Sequence, residues 1–304
     1  MSGLQMKDFV IDGSLKDLTK HHTVVMPLAC YKTTINQHIQ GYIPLHWHDE
    51  IQFVWIEKGK SVFQVNEDRI EVQEGDGLFI NSGQLHMAED SDQTDCTYIC
   101  LNFSPSFVLA PELYATFVKP YIEATNLPYL YIDASKTWGK NILDAMVEIY
   151  QCIETKDLYY EIDITIKLTS IWKNLLNNGF QLEYAPNELV KNQRMKLMLS
   201  WIHQNYSEKI RLEDIARAGQ LSRSECCRYF NRFLKSTPLH YVLDYRIQKS
   251  LYLLQQRDAN ITEVAYQVGF NSTSYFINKF RHTMNMTPLA YKKDWMDRDE
   301  QNVD

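Results

Sequence analysis

Residues 261–291 read ITEVAYQVGFNSTSYFINKFRHTMNMTPLAY. The pattern predicts two short helices joined by a tight turn. Thr262 is the expected N-cap of the first helix, with Ile261 before it as a hydrophobic staple. Val264, Ala265 and Val268 form the apolar face of that helix. Gly269 stops it, because glycine takes up the left-handed conformation that follows a helix C-terminus at no steric cost. Asn271 or Ser272 is expected to cap the second helix. Tyr275 or Phe276, Phe280 and Thr283 then fall at i, i+4 and i+7 and face inward. Thr273, Ser274, Ile277, Asn278 and Arg281 fall on the other face. A helix-turn-helix with such an outer face offers hydrogen-bonding and basic groups suited to base edges and phosphates.

The same pattern occurs about fifty residues earlier, where residues 210–241 read IRLEDIARAGQLSRSECCRYFNRFLKSTPLHY. Ile215-Ala216 answers Val264-Ala265, Phe230 answers Phe280, and Thr237-Pro238-Leu239 with Tyr241 answers Thr287-Pro288-Leu289 with Tyr291. Matched positions at offsets of 49 and 50 residues mark an internal repeat. Cys226, Phe230 and Phe233 make its inward stripe, and Arg223, Ser224, Cys227, Arg228, Asn231 and Arg232 point out. Between the repeats, residues 241–256 read as one long helix carrying Val242, Tyr245, Ile247, Leu251 and Leu254 on its apolar positions. Sixteen helical residues span roughly 24 Å. With packing offsets at both ends, that places two recognition helices about 34 Å apart, one turn of DNA.

The charge is divided to match. The chain has 304 residues and a net charge of −7, but residues 1–190 carry −13, residues 191–293 carry +10 and the tail from Asp294 carries −4. A basic stretch attracts phosphates, and an acidic domain is repelled by them. The function therefore separates into a C-terminal DNA reader and an N-terminal part with another task. No apolar run approaches the ~20 residues of a membrane span, and the N-terminus lacks a signal-peptide pattern, so no membrane partner and a cytoplasmic location are expected. The six cysteines, none in a C-x-x-C pair, fit reduced core thiols.

The two repeats together resemble the DNA-binding domain of the AraC/XylS family of transcription regulators. WIHQNY, LEDIA, Ser222, the Phe230 helix, YRIQKSLYLL, ITEVAYQVGFNSTSYFINKF and TPLAY carry the resemblance over about Lys191 to Lys293. The G-F-x-x-x-S-Y-F-x-x-x-F core of the second repeat is specific. Three positions depart from the family pattern: Lys235 and Asn285 stand where a glycine is usual before the Thr-Pro pairs, and Arg211 stands at a usual serine cap. By position in the motif, the resemblance places base-edge contacts on Ser224, Cys227, Arg228, Thr273, Ser274 and Asn278. Arg228 is the expected guanine contact, since its fork matches O6 and N7, and Asn278 suits adenine. Arg223, Arg232, Lys279, Arg281 and His282 are the expected phosphate contacts.

Upstream, short β-rich runs alternate with turns at residues 57–60, 66–68 and 74–77, the pattern of an all-β sandwich or barrel. Val24 to Thr33 and Thr97 to Ser104 add strands. H-x-H at His46 and His48, followed by G-D-x-x-x-I-x-x-G-x-x-H through Gly75, Asp76, Gly83 and His86, resembles the cupin barrel that often precedes this DNA-binding domain. Residues two apart on a strand share a face. His46 and His48 with His86 could therefore hold a metal such as zinc or iron, line a ligand cavity, or serve structure alone. The carboxylate usual in enzymatic cupins four residues after the second histidine is Gln52, which argues against a metal. The expected ligand-lining set is His46, His48, Gln52, Trp55 and His86, with no metal, cofactor or catalytic residue assigned. Trp47 and Trp55 could stack on a sugar ring.

The expected architecture is α+β in two domains. Residues 1–182 form the effector-binding and dimerisation domain, with a cupin-like barrel at about 24–104 and helices at about 111–182. A polar linker at 183–192, an all-α domain with two helix-turn-helix motifs at 193–293 and an acidic tail at 294–304 follow. Tyr159 to Leu176 is apolar on more than one face, which suggests a second contact surface; in the family this region pairs subunits, so the resemblance implies a homodimer. The expected partners are promoter DNA, a small-molecule effector for which family precedent favours a sugar, a second copy of the chain, and RNA polymerase. Two other readings stand beside this one: a metal-dependent cupin enzyme fused to a DNA anchor, and a ligand-free dimeric regulator.

Overall fold

The computed structural model describes residues 11–12, 14–17, 26–38, 41–91 and 94–301. The chain separates into two compact units, residues 1–193 and 194–304.

Among the described residues, the first unit has nine strands: β1 (Leu28–Thr34), β2 (Tyr42–His46), β3 (Ile51–Lys58), β4 (Lys60–Val65), β5 (Asp68–Gln73), β6 (Gly77–Ile80), β7 (His86–Asp90), β8 (Thr97–Phe103) and β9 (Tyr129–Ile132). They form a five-stranded sheet in the order β1-β8-β3-β6-β9 and a four-stranded sheet in the order β2-β7-β4-β5. Every ladder is antiparallel. The turns expected from the sequence carry left-handed backbone at Gly59, Asn66 and Gly75. Val24, expected to start the first strand, lies outside the described residues.

Strands β3 and β8 run through the middle of the larger sheet and are buried on both faces, so each reads as a near-continuous apolar run. Val54, Ile56, Tyr98 and Cys100 join Phe63, Val65 and Ala88 in one core. Ile51, Phe53, Ile99, Leu101 and Phe103 face the other way, into a core closed by helices. Those helices are α1 (Pro111–Phe117), α2 (Lys119–Glu123), α3 (Thr137–Thr155) and α4 (Tyr160–Leu176). Trp172 of α4 is fully buried and its Nε1 donates to the Phe117 carbonyl at 2.8 Å.

Two expectations need correction here. The stretch from Pro111 to Leu182 is not wholly helical, since β9 pairs with β6 and closes the edge of the larger sheet. Its four residues are too few to show a period. The polar linker at 183–192 is not a free tether. Thr125 and Asn126 exchange hydrogen bonds with Gln181, Glu183 and Ala185. Helix α5 (Pro186–Asn205) then begins at Pro186, a residue pre-set for the first helical turn.

The second unit is all helical. After α5 come α6 (Leu212–Ala218), α7 (Arg223–Leu234), α8 (Pro238–Leu254), α9 (Ile261–Gln267), α10 (Thr273–Met284) and α11 (Pro288–Gln301). Helix α8 is the long connector, about 25 Å at the usual rise per residue. Phe230 and Phe280, the matched aromatics of the repeats, are fully buried, as are Cys226 and Phe276. The acidic tail continues α11 as far as Gln301; its last three residues lie outside the described set.

Local details differ from the expected pattern. Asn260, not Thr262, caps α9, its Oδ1 accepting from the Thr262 N–H at 2.8 Å. Ile261 is thus the first helical residue and no staple. Thr283 is exposed and Met284 packs inward instead. Tyr275 lies outside while Phe276 fills the core. At α6 the Arg211 side chain cannot accept a hydrogen bond, and only the return contact, Arg211 N–H to Asp214 carboxylate at 3.3 Å, forms.

Lys235 and Asn285, which replace the usual glycines, adopt φ of 50° and 56° as the C-caps of α7 and α10. Left-handed backbone costs an ordinary residue about 1–2 kcal/mol, and asparagine less. Lys235→Gly is therefore expected to raise the stability of the second unit by about 0.5–1 kcal/mol, read as a higher denaturant midpoint. An unchanged or lower midpoint would mean that the Lys235 side chain offsets its own backbone strain.

Candidate functional site

The two helix-turn-helix motifs superpose in chemistry as well as sequence. In each, an N–H of the turn returns to the first helix: Leu221 to the Ala216 carbonyl and Phe270 to the Ala265 carbonyl, both at 2.9 Å. Left-handed residues, Gln220 and Gly269, precede these donors. Serines then cap the second helices. Ser222 Oγ accepts from Glu225 N–H at 3.3 Å and the Glu225 carboxylate returns to Ser222 N–H at 3.0 Å. Ser272 Oγ accepts from Tyr275 N–H at 3.4 Å.

These turns aim α7 and α10 outward. On α7, Arg223, Ser224, Arg228, Asn231 and Arg232 are exposed and Cys227 is half-buried. On α10, Ser274, Ile277, Asn278, Arg281 and His282 are exposed and Thr273 is half-buried. Helix α10 holds no acid, and the one acid of α7, Glu225, is occupied in its capping box. Arg223 lies 3.1 Å from Glu213, an exposed ion pair weak enough to yield to a phosphate.

Lys279 departs from the expected phosphate-facing set. Its side chain is only 10 % exposed, and its ammonium lies 2.6 Å from the Asp244 carboxylate and 2.9 Å from His240 Nε2. It ties α10 to α8. Two more basic side chains serve structure. Arg246 donates to the carbonyls of Tyr206 and Glu208, both at 2.7 Å, closing the chain end of α5. Lys292 donates to the Arg257 and Ala259 carbonyls ahead of α9. The positive surplus of this unit thus overstates its supply of DNA contacts, and an inward cation on a solvated-looking helix face leaves no mark in the sequence.

In the first unit the structure gathers His46, His48, Gln52 and His86. His46 ends β2 opposite His86 at the start of β7, and His48 follows in the connection to β3. The Gly83 N–H donates to the His48 carbonyl at 2.8 Å, holding that connection against the loop before His86. All three histidines are buried. A polar chain continues inward: His48 Nε2 contacts Gln52 Oε1 at 3.1 Å, Gln52 Nε2 donates to Cys100 Sγ at 3.2 Å, and Cys100 Sγ donates to Asn102 Oδ1 at 3.3 Å. Cys100, Asn102 and the Asp17 carboxylate near them were not legible as site residues, because neither strand alternation nor spacing separates them from core. Burial pushes the Cys100 thiol up to about 12.

Trp55 does not belong to this set. It alternates with Val54 on β3 and packs with the helix-side core, its Nε1 donating to the Gly75 carbonyl at 3.2 Å. Gln52 and Trp55 are three residues apart, and an odd separation on a strand sends side chains to opposite faces. Trp47 likewise turns away from His46 and His48; its Nε1 donates to the Ser14 carbonyl at 2.9 Å and Lys16 lies over its ring.

Burial holds His46 down at about 3, lowers His48, and holds His203, in the second unit, down at about 3. A histidine kept neutral in the fold takes a proton first when the chain unfolds. The stability of each unit is therefore full above the unfolded value near 6.5 and falls as pH drops below it, by up to about 1.4 kcal/mol per pH unit for each such group. Denaturant midpoints measured from pH 7.5 to 5 are expected to fall, and His203→Asn, although less stable at neutral pH, is expected to flatten the acid limb of the second unit. A pH-independent wild-type midpoint would contradict neutral burial.

A basic helical unit presenting two outward recognition helices, joined to a β-rich unit with a buried cluster of polar side chains, defines a DNA-binding transcription regulator with a separate sensing domain. The helix-turn-helix domain family model matches residues 215–294, and the AraC-like ligand binding domain model matches residues 33–111. The chain is 68% identical over 288 residues, 95% of its own length and 99% of the relative's, to the HTH-type transcriptional regulator YdeC of Bacillus subtilis (strain 168). It is 21% identical to the HTH-type transcriptional activator RhaS of Escherichia coli O139:H28 (strain E24377A / ETEC), over 82% of this chain and 87% of that one. Among solved structures, ToxT from Vibrio cholerae O395 aligns at 15% identity with a TM-score of 0.42, covering 87% of this chain and 96% of that one. The DNA-binding domain of AdpA in complex with a target DNA aligns at 27% identity with a TM-score of 0.33, covering 34% and 94%. The chain belongs to the AraC family of HTH-type transcriptional regulators. Among its described residues, no helix is long and apolar enough to cross a membrane.

Proposed function

We propose that this regulator works in the cytoplasm as a homodimer, that each chain reads two successive major grooves through α7 and α10, and that a small molecule bound in the first unit governs it. The observation that carries the DNA reading is the pair of outward helix faces, matched in position and free of uncommitted acids. Ser224, Cys227, Arg228, Thr273, Ser274 and Asn278 read base edges. Arg223, Arg232, Arg281 and His282 hold phosphates. The test is capture of fragmented genomic DNA by the purified protein at near-physiological salt. A few enriched sites with a shared motif are expected; uniform, salt-sensitive capture would reduce the second unit to a backbone binder.

The effector site is the polar end of the sheet sandwich, around His46, His48, Gln52 and His86. Trp55 packs into the helix-side core and offers a sugar no stacking surface there. The name of the RhaS relative as an activator supports activation, and with it contact to RNA polymerase, for this chain.

Dimerisation is supported by α4. Ile162 and Ile166, one helical turn apart on α4, are 59 and 63% exposed, while Ile164, Leu168 and Trp172 of the same helix are buried; Leu158, in the turn before the helix, is 80% exposed. A patch of aliphatic side chains repeated along one helix face suits a second copy of the same face. The wild-type chain is expected to sediment as a dimer at micromolar concentration, and Ile162→Glu/Ile166→Glu as a folded monomer. A dimer that persists in the double variant would place the interface elsewhere.

A further inference from the structure

Helix α10 carries two exposed apolar side chains, Tyr275 and Ile277, 52 and 37% exposed. Tyr275 has a neighbour in its own unit, its ring centre 5.8 Å from that of Phe270. Ile277 lies outside the core, to which α10 gives Phe276, Phe280 and, at the edge, Met284. Isoleucine does not serve the helix either. Its branched side chain makes it a poorer helix former than alanine, leucine or lysine.

A single exposed apolar residue is ordinary on a protein surface. The surroundings of Ile277 are not. Thr273, Ile277 and Arg281, at four-residue spacing, run along one edge of the outward face, and Ser274 and Asn278 run beside them. No acid interrupts the helix. The internal repeat marks the same position. Fifty residues earlier, Ser224 answers Ser274, Arg228 answers Asn278, Phe230 answers Phe280, and Cys227 answers Ile277. Cys227 is half-buried, and a thiol behaves as a small apolar group. Both recognition helices thus place an apolar group directly before Arg228 or Asn278, and α10 places the larger one.

In the major groove the base pairs differ in donors and acceptors, and thymine alone adds an apolar group, its C5 methyl. That methyl stands toward the groove wall, beside the thymine's own strand. A helix lying in the groove turns its middle to the floor and its edges to the walls. An aliphatic side chain on such an edge meets the methyl, and both leave water.

We propose that Ile277 reads thymine through its C5 methyl. With Asn278 on adenine, it makes the groove under α10 the A·T-selecting half of the site, while Arg228 selects guanine under α7. Cytosine presents a bare C5 and an amino group in place of the methyl and O4, so isoleucine disfavours it. The proposal rests on reading α10 as a major-groove helix and adds a base to that reading.

The test selects sites for the full-length protein from a random synthetic duplex library. Affinity is then measured on the selected duplex with each thymine replaced in turn by deoxyuridine. The exchange deletes one methyl group and keeps base pairing and every hydrogen-bonding group. At one thymine of the half-site that Asn278→Ala weakens, deoxyuridine is expected to raise Kd about fourfold, the worth of one buried methyl. Ile277→Ser should bind the thymine and deoxyuridine duplexes alike at that position. Ile277→Val should keep part of the difference, and Arg281→Ala all of it. Should Ile277→Ser fail to fold, the wild-type scan and Ile277→Val decide. A wild-type Kd unchanged at every thymine of that half-site, or a methyl effect undiminished in the Ile277 variants, would overturn the proposal and leave the major-groove reading standing. A library that yields no motif would overturn that reading and the proposal with it.

Discussion

Gly269→Ala is expected to lower the stability of the second unit by about 3 kcal/mol and to abolish specific DNA binding, while the first unit keeps its melting transition. Gly269 has φ of +90°, and a Cβ built on it would lie 2.7 Å from the Ser207 carbonyl oxygen, 2.8 Å from that of Tyr206 and 2.9 Å from Arg246 Cζ. None of these can retreat cheaply. The Tyr206 carbonyl is held by the Arg246 guanidinium, which also fixes the Glu208 carbonyl. The turn between α9 and α10 therefore packs backbone to backbone against the end of α5, and a methyl group there pushes α10 off its frame. Denaturant unfolding followed by fluorescence and far-UV dichroism reads the effect. A loss below 1 kcal/mol would mean that the turn yields without cost and that the close approach does not set the aim of α10.

Arg228→Ala is expected to cost about 1–3 kcal/mol at the specific site, roughly five- to 150-fold in affinity, and to relax preference at one base pair. Arg228 is exposed on the outward face of α7, behind the Ser222–Glu225 capping box that fixes the first turn of the helix. Arg281→Ala, a phosphate contact by comparison, should weaken binding evenly across sequences and lower the salt slope by about one. A binding profile over base variants that is unchanged in Arg228→Ala would remove its base contact. Lys279→Ala gives a useful contrast. Its ion pair with Asp244 is 10 % exposed on the lysine side, so the variant should lose stability before it loses phosphate affinity.

The helical unit was largely legible in the sequence, because helix-turn-helix chemistry is local. A glycine in the turn, a serine cap and aromatic residues at fixed spacing say where each helix starts, stops and faces. Phe230, Phe276 and Phe280 are buried as that spacing implies. Tyr275 and Phe276 stand as alternatives for the inward position in the sequence, and the structure buries Phe276; the α9 cap expected at Thr262 is Asn260. Lys279 could not be read correctly, since its partner Asp244 sits thirty-five positions away on α8.

The β-rich unit was legible as strands and turns, and the cupin-like H-x-H and G-D motifs pointed to His46, His48 and His86 together, although His48 lies in the connection after β2 and not on its strand. What lay behind the histidines was not. Strands β3 and β8 are buried on both faces, so alternation gives no sign of which face is the sandwich interior. Trp55, expected in the ligand-lining set as an aromatic able to stack on a sugar, belongs to the helix-side core. Cys100 and Asn102 reach the cluster through pairing of β3 with β8, a contact between segments about fifty residues apart. The four residues of β9 and the start of α5 at Pro186 depend on tertiary contacts that local pattern does not carry.

The most direct measurement is a hydroxyl-radical footprint of the wild-type chain on a site recovered by genomic capture. Two protected regions per half-site are expected on one face of the duplex, their centres about 10–10.5 base pairs apart, if α7 and α10 enter successive major grooves as proposed. Arg228→Ala should weaken the first region and Asn278→Ala the second. A single protected region per chain, or two regions out of phase with the helical turn, would contradict reading by both helices.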